Sequence, residues 1–366
     1  MTVKTVLISG YYGFGNLGDE LILEELINEI RQIDVNISII VLSNQPEYTS
    51  KIYNVNSINR YNLVKIINAL MNCDLLISGG GGLFQDASSY RPPLYYGFII
   101  LLARLLRVKI FIYAQGLGPI NSTIAKFITL ASLSMANIIT LRDHKSLAMA
   151  KNWQLNATLT ADPVWNLVAP QAKDENVSNI DQIIARHPQK FLIGLSLRSS
   201  NQLSENILHD FCNCLSQALN KDQVIVLLPL QKTEDYQILQ EVKQQLTKYN
   251  ITVECLDLNH ENFAASTYLT VFAKLNFVIA MRLHALILAL KCGINVFGLA
   301  YDPKVTHLLN ELKLPYMLFP QTIDQVNCIN KLKTALNNQY FPHSQITNLN
   351  TQAKINITHL TQLINS

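Results

Sequence analysis

The feature that most constrains this chain of 366 residues is a set of ten short, mostly apolar runs that are continuous rather than alternating. They fall at 5–9, 37–42, 74–78, 108–114 and 138–141, and again at 191–197, 224–228, 252–256, 277–281 and 294–299. A strand with one wet face alternates, whereas a strand covered on both faces does not. The runs therefore point to parallel strands with helices on either side. Helical spacing fills the gaps, as in "DELILEELINEIRQ", whose Asp19 and Glu20 occupy a first turn where the helix dipole favours acids. Five runs precede a polar, Pro-flanked, charge-rich stretch around 170–189 and five follow it. The length also exceeds what one hydrophobic core usually serves. The expected fold is α/β: two Rossmann-like doubly wound domains, 1–170 and 190–325, facing a cleft. A polar helical tail, 326–366, would pack back on the first domain. In such sheets ligands sit at the carboxyl ends of the strands.

Composition narrows the function by exclusion. Charged residues are only 15% of the chain and the net charge is +3, with no Lys/Arg block, which argues against a nucleic-acid partner. The six cysteines are scattered, and Cys212-x-Cys214 has no second pair at metal-ligand spacing. Buried free thiols and no metal are expected. The amino terminus enters a strand directly, without a signal-peptide pattern, so a cytoplasmic protein is expected. The greasiest stretch, "YYGFIILLARLLRVKIFIYA", is interrupted by Arg104, Arg107 and Lys109, and reads as a helix followed by a buried strand. Its mixture of aromatics, aliphatics and cations also fits peripheral contact with the inner face of the plasma membrane.

Glycines cluster where strands end. Gly13-x-Gly15-x-x-Gly18 has dinucleotide-binding spacing, but that reading needs an acid at the end of the second strand. The strand ends "IIVLSNQ", with Ser43 and Asn44 where the acid belongs, so NAD is not expected. "LLISGGGGLFQD" and "FIYAQGLGPI" place further glycines after the third and fourth runs. Bare backbone around one edge suits a bulky polar ligand such as a sugar or diphosphate. Expected contacts are Gly15, Asn16, Gly18, Asp19, Glu20, Gly81, Gly82, Gln85, Asp86, Gln115 and Gly116, any of whose side chains could instead be a cap.

Cations cluster similarly. Arg142 and Arg198 end strands, and Arg282 and His284 lie where a strand passes into an apolar helix. In "YDPK", Asp302 suits an N-cap, Pro303 a first helical position, and Lys304 a first turn that disfavours a cation unless an anion is bound. Four cations and a histidine suggest a small, highly charged anion, with Arg forks for a carboxylate and Lys with helix N-termini for a phosphate.

The ordered set "SGYYGFGNLGDE", "ISGGGGLFQD", "AQGLGPI", "RDHKS", "ADPVW", "MRLHALILAL" and "YDPK" resembles the polysaccharide pyruvyl transferase family, over about residues 5–320. Within it the resemblance is nearest to the bacterial branch that modifies secondary cell-wall polymers for S-layer anchoring. The resemblance implies a fold of the GT-B type, phosphoenolpyruvate as donor, a lipid-linked aminosugar or oligosaccharide as acceptor, and no metal. It implies that Arg282 and His284 form a catalytic Arg-x-His, with Lys304 and Arg142 in the donor pocket and Arg198 beside them. His284 would be the general acid/base, Arg282 and Arg142 would fix the donor, and Lys304 would stabilise departing phosphate. Two other readings stay open: a GT-B glycosyltransferase using a nucleotide sugar, and a non-catalytic glycan-binding protein.

Overall fold

The computed structural model describes residues 3–86, 89–169, 179–200, 203–257, 264–338 and 340–366. The chain divides into two compact units, Met1–Leu167 with Thr347–Ser366, and Val168–Ile346. Part of the polar stretch expected to join the domains, 170–178, lies outside the described residues.

The strands of the first unit are β1 (Thr5–Tyr12), β2 (Ser38–Ser43), β3 (Asn56–Asn59), β4 (Leu75–Ser78), β5 (Gly81–Phe84), β6 (Lys109–Leu117), β7 (Ile138–Leu141) and β8 (Thr158–Leu159). Its helices are α1 (Leu17–Ile33), α2 (Pro46–Tyr53), α3 (Leu63–Met71), α4 (Arg91–Leu105), α5 (Thr123–Ser134) and α6 (His144–Asn152). The strands are parallel in the order β3-β2-β1-β4-β6-β7-β8, with β5 also pairing β6. The order reverses between β1 and β4, the switch point at which wound sheets bind ligands.

The second unit holds helix α7 (Ile180–Arg186), strands β9 (Phe191–Ser196), β10 (Gln223–Leu227), β11 (Thr252–Cys255), β12 (Phe277–Ala280), β13 (Asn295–Ala300) and β14 (Tyr316–Leu318), and helices α8 (Glu205–Ala218), α9 (Lys232–Lys248), α10 (Thr267–Phe272), α11 (Leu283–Lys291), α12 (Pro303–Glu311) and α13 (Gln325–Asn337). Its order is β11-β10-β9-β12-β13-β14, all parallel, with the reversal between β9 and β12.

All ten apolar runs lie on strands. Four further strands, β3, β5, β8 and β14, lack a run: β3 is the polar "NSIN" at a sheet edge, β8 and β14 are very short, and β5 begins with glycine. The tail expected at 326–366 is divided. On α13, Cys328, Leu332 and Ala335 join the core of the second unit with Phe211 and Leu215 of α8. The last helix, α14 (His343–Asn365), is sewn to the first unit instead. There Val3 N donates to Ile364 O at 3.1 Å and Asn356 Nδ2 to Ala161 O at 3.2 Å.

Candidate functional site

Each sheet presents its carboxyl edge as a candidate site, and the two edges are chemically different. In the second unit, Arg198 lies two residues beyond β9 and Arg282 two residues beyond β12, on the strands that flank the switch point. Arg282 is the N-cap residue of α11, in extended backbone, and its side chain does not cap the helix. It reaches away to Asp235 of α9, with Nη2 against Oδ1, and donates from Nη2 to Gln231 Oε1 at 3.3 Å. Asp235 is fully buried, and its Oδ2 accepts from the backbone N–H groups of Leu230 (3.1 Å) and Gln231 (2.9 Å). Burial pushes the Asp235 carboxyl above its ordinary pKa, and Arg282 opposes that shift. The effect is to pin one edge of the Arg282 guanidinium.

Arg282 Nε and Arg198 Nε are both buried with no hydrogen-bond partner among the described residues, as is Ser196 Oγ at the end of β9. Arg198 donates from Nη1 to the Tyr301 hydroxyl at 3.2 Å and lies 5.5 Å over its ring. Glu234 Oε2 is 4.0 Å from Nη2 of both arginines, so the two guanidiniums share one carboxylate. His284 sits half-buried in the first turn of α11. Lys304 sits half-buried in the first turn of α12, where Asp302 caps its N–H at 2.8 Å and Pro303 takes the first position. Unfilled buried Arg donors are costly without a ligand. Around an imidazole and an ammonium, they form an edge suited to an anion with more than one charged group.

Arg142 belongs to the first unit. It follows β7, and Asp143 caps α6 by accepting from Ser146 N at 2.7 Å. The Arg142 guanidinium pairs with Asp162 at 2.6 Å, both side chains being 6% exposed. A Cβ on Gly116 would come within 2.9 Å of Arg142 Nε, which is why only glycine fits there.

Most of the expected polar contacts of the first unit hold the protein's own loops. Glu20 turns inward: Oε1 accepts from Gly13 N at 2.8 Å and Oε2 from the Tyr53 hydroxyl at 3.1 Å. Burial raises its pKa from 4.5 to about 7. Asn16 caps α1 by accepting from Gly18 N at 3.1 Å. Gln115 is fully buried and donates from Nε2 to Gly81 O and Gly116 O, each at 2.9 Å. Asp86 accepts from the N–H groups of Asn121 and Ser122 at the start of α5. Gly82 and Gln85 are half-buried at the two ends of β5. Gly81, at φ +99°, lies beside Asp19: a Cβ there would sit 3.0 Å from Asp19 Oδ1. Gly15 is exposed, with open space where a side chain would be. The glycine run is thus partly a packing device, since a Cβ on Gly79 would collide with the Tyr12 hydroxyl. Below it, the hydroxyls of Ser9, Tyr12 and Ser78 are buried with no hydrogen-bond partner among the described residues.

Two residues here escape a sequence reading. Arg60, 4% exposed, follows β3 and donates from Nη1 to Gly10 O at 2.8 Å. Its guanidinium lies over the rings of Phe14, Tyr61, Tyr95 and Tyr96, at 4.4 to 5.5 Å. It is another arginine just after a strand, but that strand is the polar one, so the pattern of Arg after an apolar run passes it by. Asp235 lies in a polar helix, "KTEDYQ", where only burial distinguishes it from its neighbours.

Two wound parallel sheets, each with a switch point at its carboxyl edge, define a two-domain α/β protein of GT-B-like fold. The polysaccharide pyruvyl transferase family model matches residues 16–303, and the chain belongs to that family, whose members transfer pyruvate to polysaccharide. No curated relative matches by sequence. Among solved structures, UDP-GlcNAc 2-epimerase from Neisseria meningitidis bound to UDP-GlcNAc is similar at a TM-score of 0.67 and 10% identity, over 98% of this chain and 100% of that one. The Methanocaldococcus jannaschii UDP-GlcNAc 2-epimerase gives a TM-score of 0.66 at 10% identity, over 98% and 99%. Anabaena Alr3699/HepE in complex with UDP-glucose gives 0.58 at 13% identity, over 97% and 99%. At these identities the likeness is one of fold.

Proposed function

We propose that this chain transfers pyruvate from phosphoenolpyruvate to a sugar of a lipid-linked cell-wall or extracellular polysaccharide precursor, forming a cyclic 4,6-ketal and releasing phosphate. The observation that carries this is the pair of unfilled guanidinium Nε donors, of Arg198 and Arg282, beside His284 at the switch point of the second unit. Phosphoenolpyruvate carries a carboxylate and a phosphate on one small carbon skeleton, which suits forked donors plus Lys304.

The chemistry balances without a redox partner. His284 delivers a proton to the vinyl CH2, leaving a cation stabilised by oxygen at C2. The first sugar hydroxyl attacks that carbon and gives up its proton. Phosphate then leaves with its bonding pair, and the second hydroxyl closes the ring and loses its own proton. Arg282, held by Asp235, orients the donor, while Lys304 and the N-terminus of α12 favour the phosphate that departs. The neutral buried hydroxyls and glycine backbone of the first unit suit a hydroxyl-rich acceptor. The family resemblance also gives Arg142 to the donor. Its pair with Asp162 and its packing on Gly116 mean that losing it would disturb the glycine loops as well.

A second reading, a glycosyltransferase using a nucleotide sugar, draws on the solved neighbours that carry UDP-glucose or UDP-GlcNAc. One experiment separates the two: phosphate release from phosphoenolpyruvate, with and without a ManNAc-GlcNAc-diphosphoryl-lipid acceptor, beside melting temperatures with phosphoenolpyruvate and with UDP-sugars. Acceptor-dependent phosphate release, with acid-labile pyruvate on the sugar, is the expected result. Stabilisation by UDP-sugars without phosphate release would replace this reading with the second.

A further inference from the structure

α4 is apolar all round, yet only one side of it is covered. Tyr96, Ile99, Ile100 and Ala103 enter the core of the first unit, while Leu94, Phe98, Leu101 and Leu105 repeat at helical spacing on the opposite side and stand 40 to 69% exposed. α5 lies alongside: a Cβ on Gly97 of α4 would come within 2.8 Å of Ser132 Oγ of α5. α5 itself carries Ile124 and Phe127, 67% and 71% exposed. Six large apolar side chains on two adjacent helices exceed the scattered apolar exposure of ordinary surfaces.

The charge on these helices has a single sign, with the Asp86 carboxylate occupied by the N–H groups at the start of α5. Residues 61–72, 89–107 and 120–136, which carry α3, α4 and α5, contain no Asp or Glu. Their five cations, Lys65, Arg91, Arg104, Arg107 and Lys126, are all exposed and form no ion pair among the described residues. The rest of the chain, with 24 basic against 26 acidic residues, is net negative. A symmetric contact with a second copy would set this cationic face against itself. Among the described residues no helix is long and apolar enough to cross a membrane. An apolar stripe rimmed by cations, on a helix that does not span, matches the interface of a bilayer with an anionic surface.

We propose that the α4–α5 face docks the first unit on an anionic phospholipid surface. The inference stands apart from the reaction proposed above. α4 and α5 each follow a strand, so both begin at the carboxyl edge that carries the glycine loops, and docking would hold that edge near the lipid headgroups.

Co-sedimentation with vesicles tests it, using mixed phosphatidylcholine and phosphatidylglycerol against phosphatidylcholine alone. The protein pellets with the anionic vesicles, and the binding falls away at ~1 M salt, where screening shortens to about 3 Å. The pair Phe98→Asp and Phe127→Asp leaves the protein in the supernatant. Arg104→Gln with Lys126→Gln weakens binding about 25-fold, or roughly five-fold per cation, and carries the test if the aspartate pair does not fold. Tyr236→Asp, at an exposed position of α9 in the second unit, changes nothing. The proposal fails if the wild type ignores every vesicle, or if the folded aspartate pair pellets as well as the wild type. It also fails if light scattering finds a dimer that the aspartate pair converts to monomer. Pyruvyl transfer to a water-soluble acceptor by the aspartate pair would stay intact either way, so failure of docking and failure of the reaction are read separately.

Discussion

The carboxyl edges of the two sheets have the same topology and opposite electrostatic strategies. In the first unit nearly every charged side chain near the edge is consumed internally: Glu20 by Gly13 and Tyr53, Asp86 by the start of α5, Arg142 by Asp162. What stays unfilled there is mostly neutral, the hydroxyls of Ser9, Tyr12 and Ser78, with Arg60 Nε as the charged exception. In the second unit the unfilled atoms include two guanidinium nitrogens, Arg198 Nε and Arg282 Nε, beside the Ser196 hydroxyl. Charged donors left open cost far more than open hydroxyls, and the two at the second edge are why the proposal above puts the anion there.

The largest expected effect is on the second edge. His284→Ala folds and binds phosphoenolpyruvate but loses turnover by about 10²- to 10⁴-fold, read as phosphate release with saturating donor. Undiminished turnover would move the proton-transfer role elsewhere.

Asp235→Ala sharpens the comparison, because its counterpart in the first unit is Asp162→Ala. Each leaves a buried arginine without its partner and costs ~3–5 kcal/mol in urea unfolding. Asp235→Ala should weaken stabilisation by phosphoenolpyruvate more than Asp162→Ala does, since Asp235 positions Arg282 beside Arg198. Equal loss of donor binding in both variants would erase the distinction between the edges.

The third effect concerns the first edge alone. Glu20 is protonated more readily in the fold, at about 7, than its ordinary 4.5. The stability it contributes is therefore fully present below pH 4.5 and lost as pH rises through about 7. The size is about 3 kcal/mol. Glu20→Gln keeps both hydrogen bonds and should flatten the stability profile across that window. A profile that keeps its slope would assign the titration to another group.

The smallest effect tests the glycine run. Gly79→Ala should cost about 1–3 kcal/mol by overpacking against the Tyr12 hydroxyl, and Tyr12→Phe should recover much of it in a double-mutant cycle. Additive costs would mean that the run serves something other than close packing.

These features differ in how far the sequence exposes them. Strands buried on both faces announce themselves, because double coverage demands continuous apolar residues; of the ten runs only that of β11, at a sheet edge, lacks such coverage. β3 did not announce itself, since an edge strand with polar residues on both faces has no such demand, and with it went Arg60. The cap at Asp302 was legible because it depends on local chain geometry. The roles of Glu20 and Gln115 were not: a residue of either type can face a ligand or the interior, and only the packing of Tyr53 and Gly81 decides. Asp235 belongs to the same class, as its partner Arg282 lies far along the chain.

The return of α14 to the first unit bears on how the protein is made. The two parts of that unit, ending at Leu167 and resuming at Thr347, are separated by the whole of the second unit. At ribosomal speeds the interval is roughly 10 to 35 s. Throughout it, Val3 N and Ala161 O wait without Ile364 and Asn356. The second unit, contiguous in the chain, can finish while the first is still incomplete, so the domain that begins synthesis first is the one that closes last.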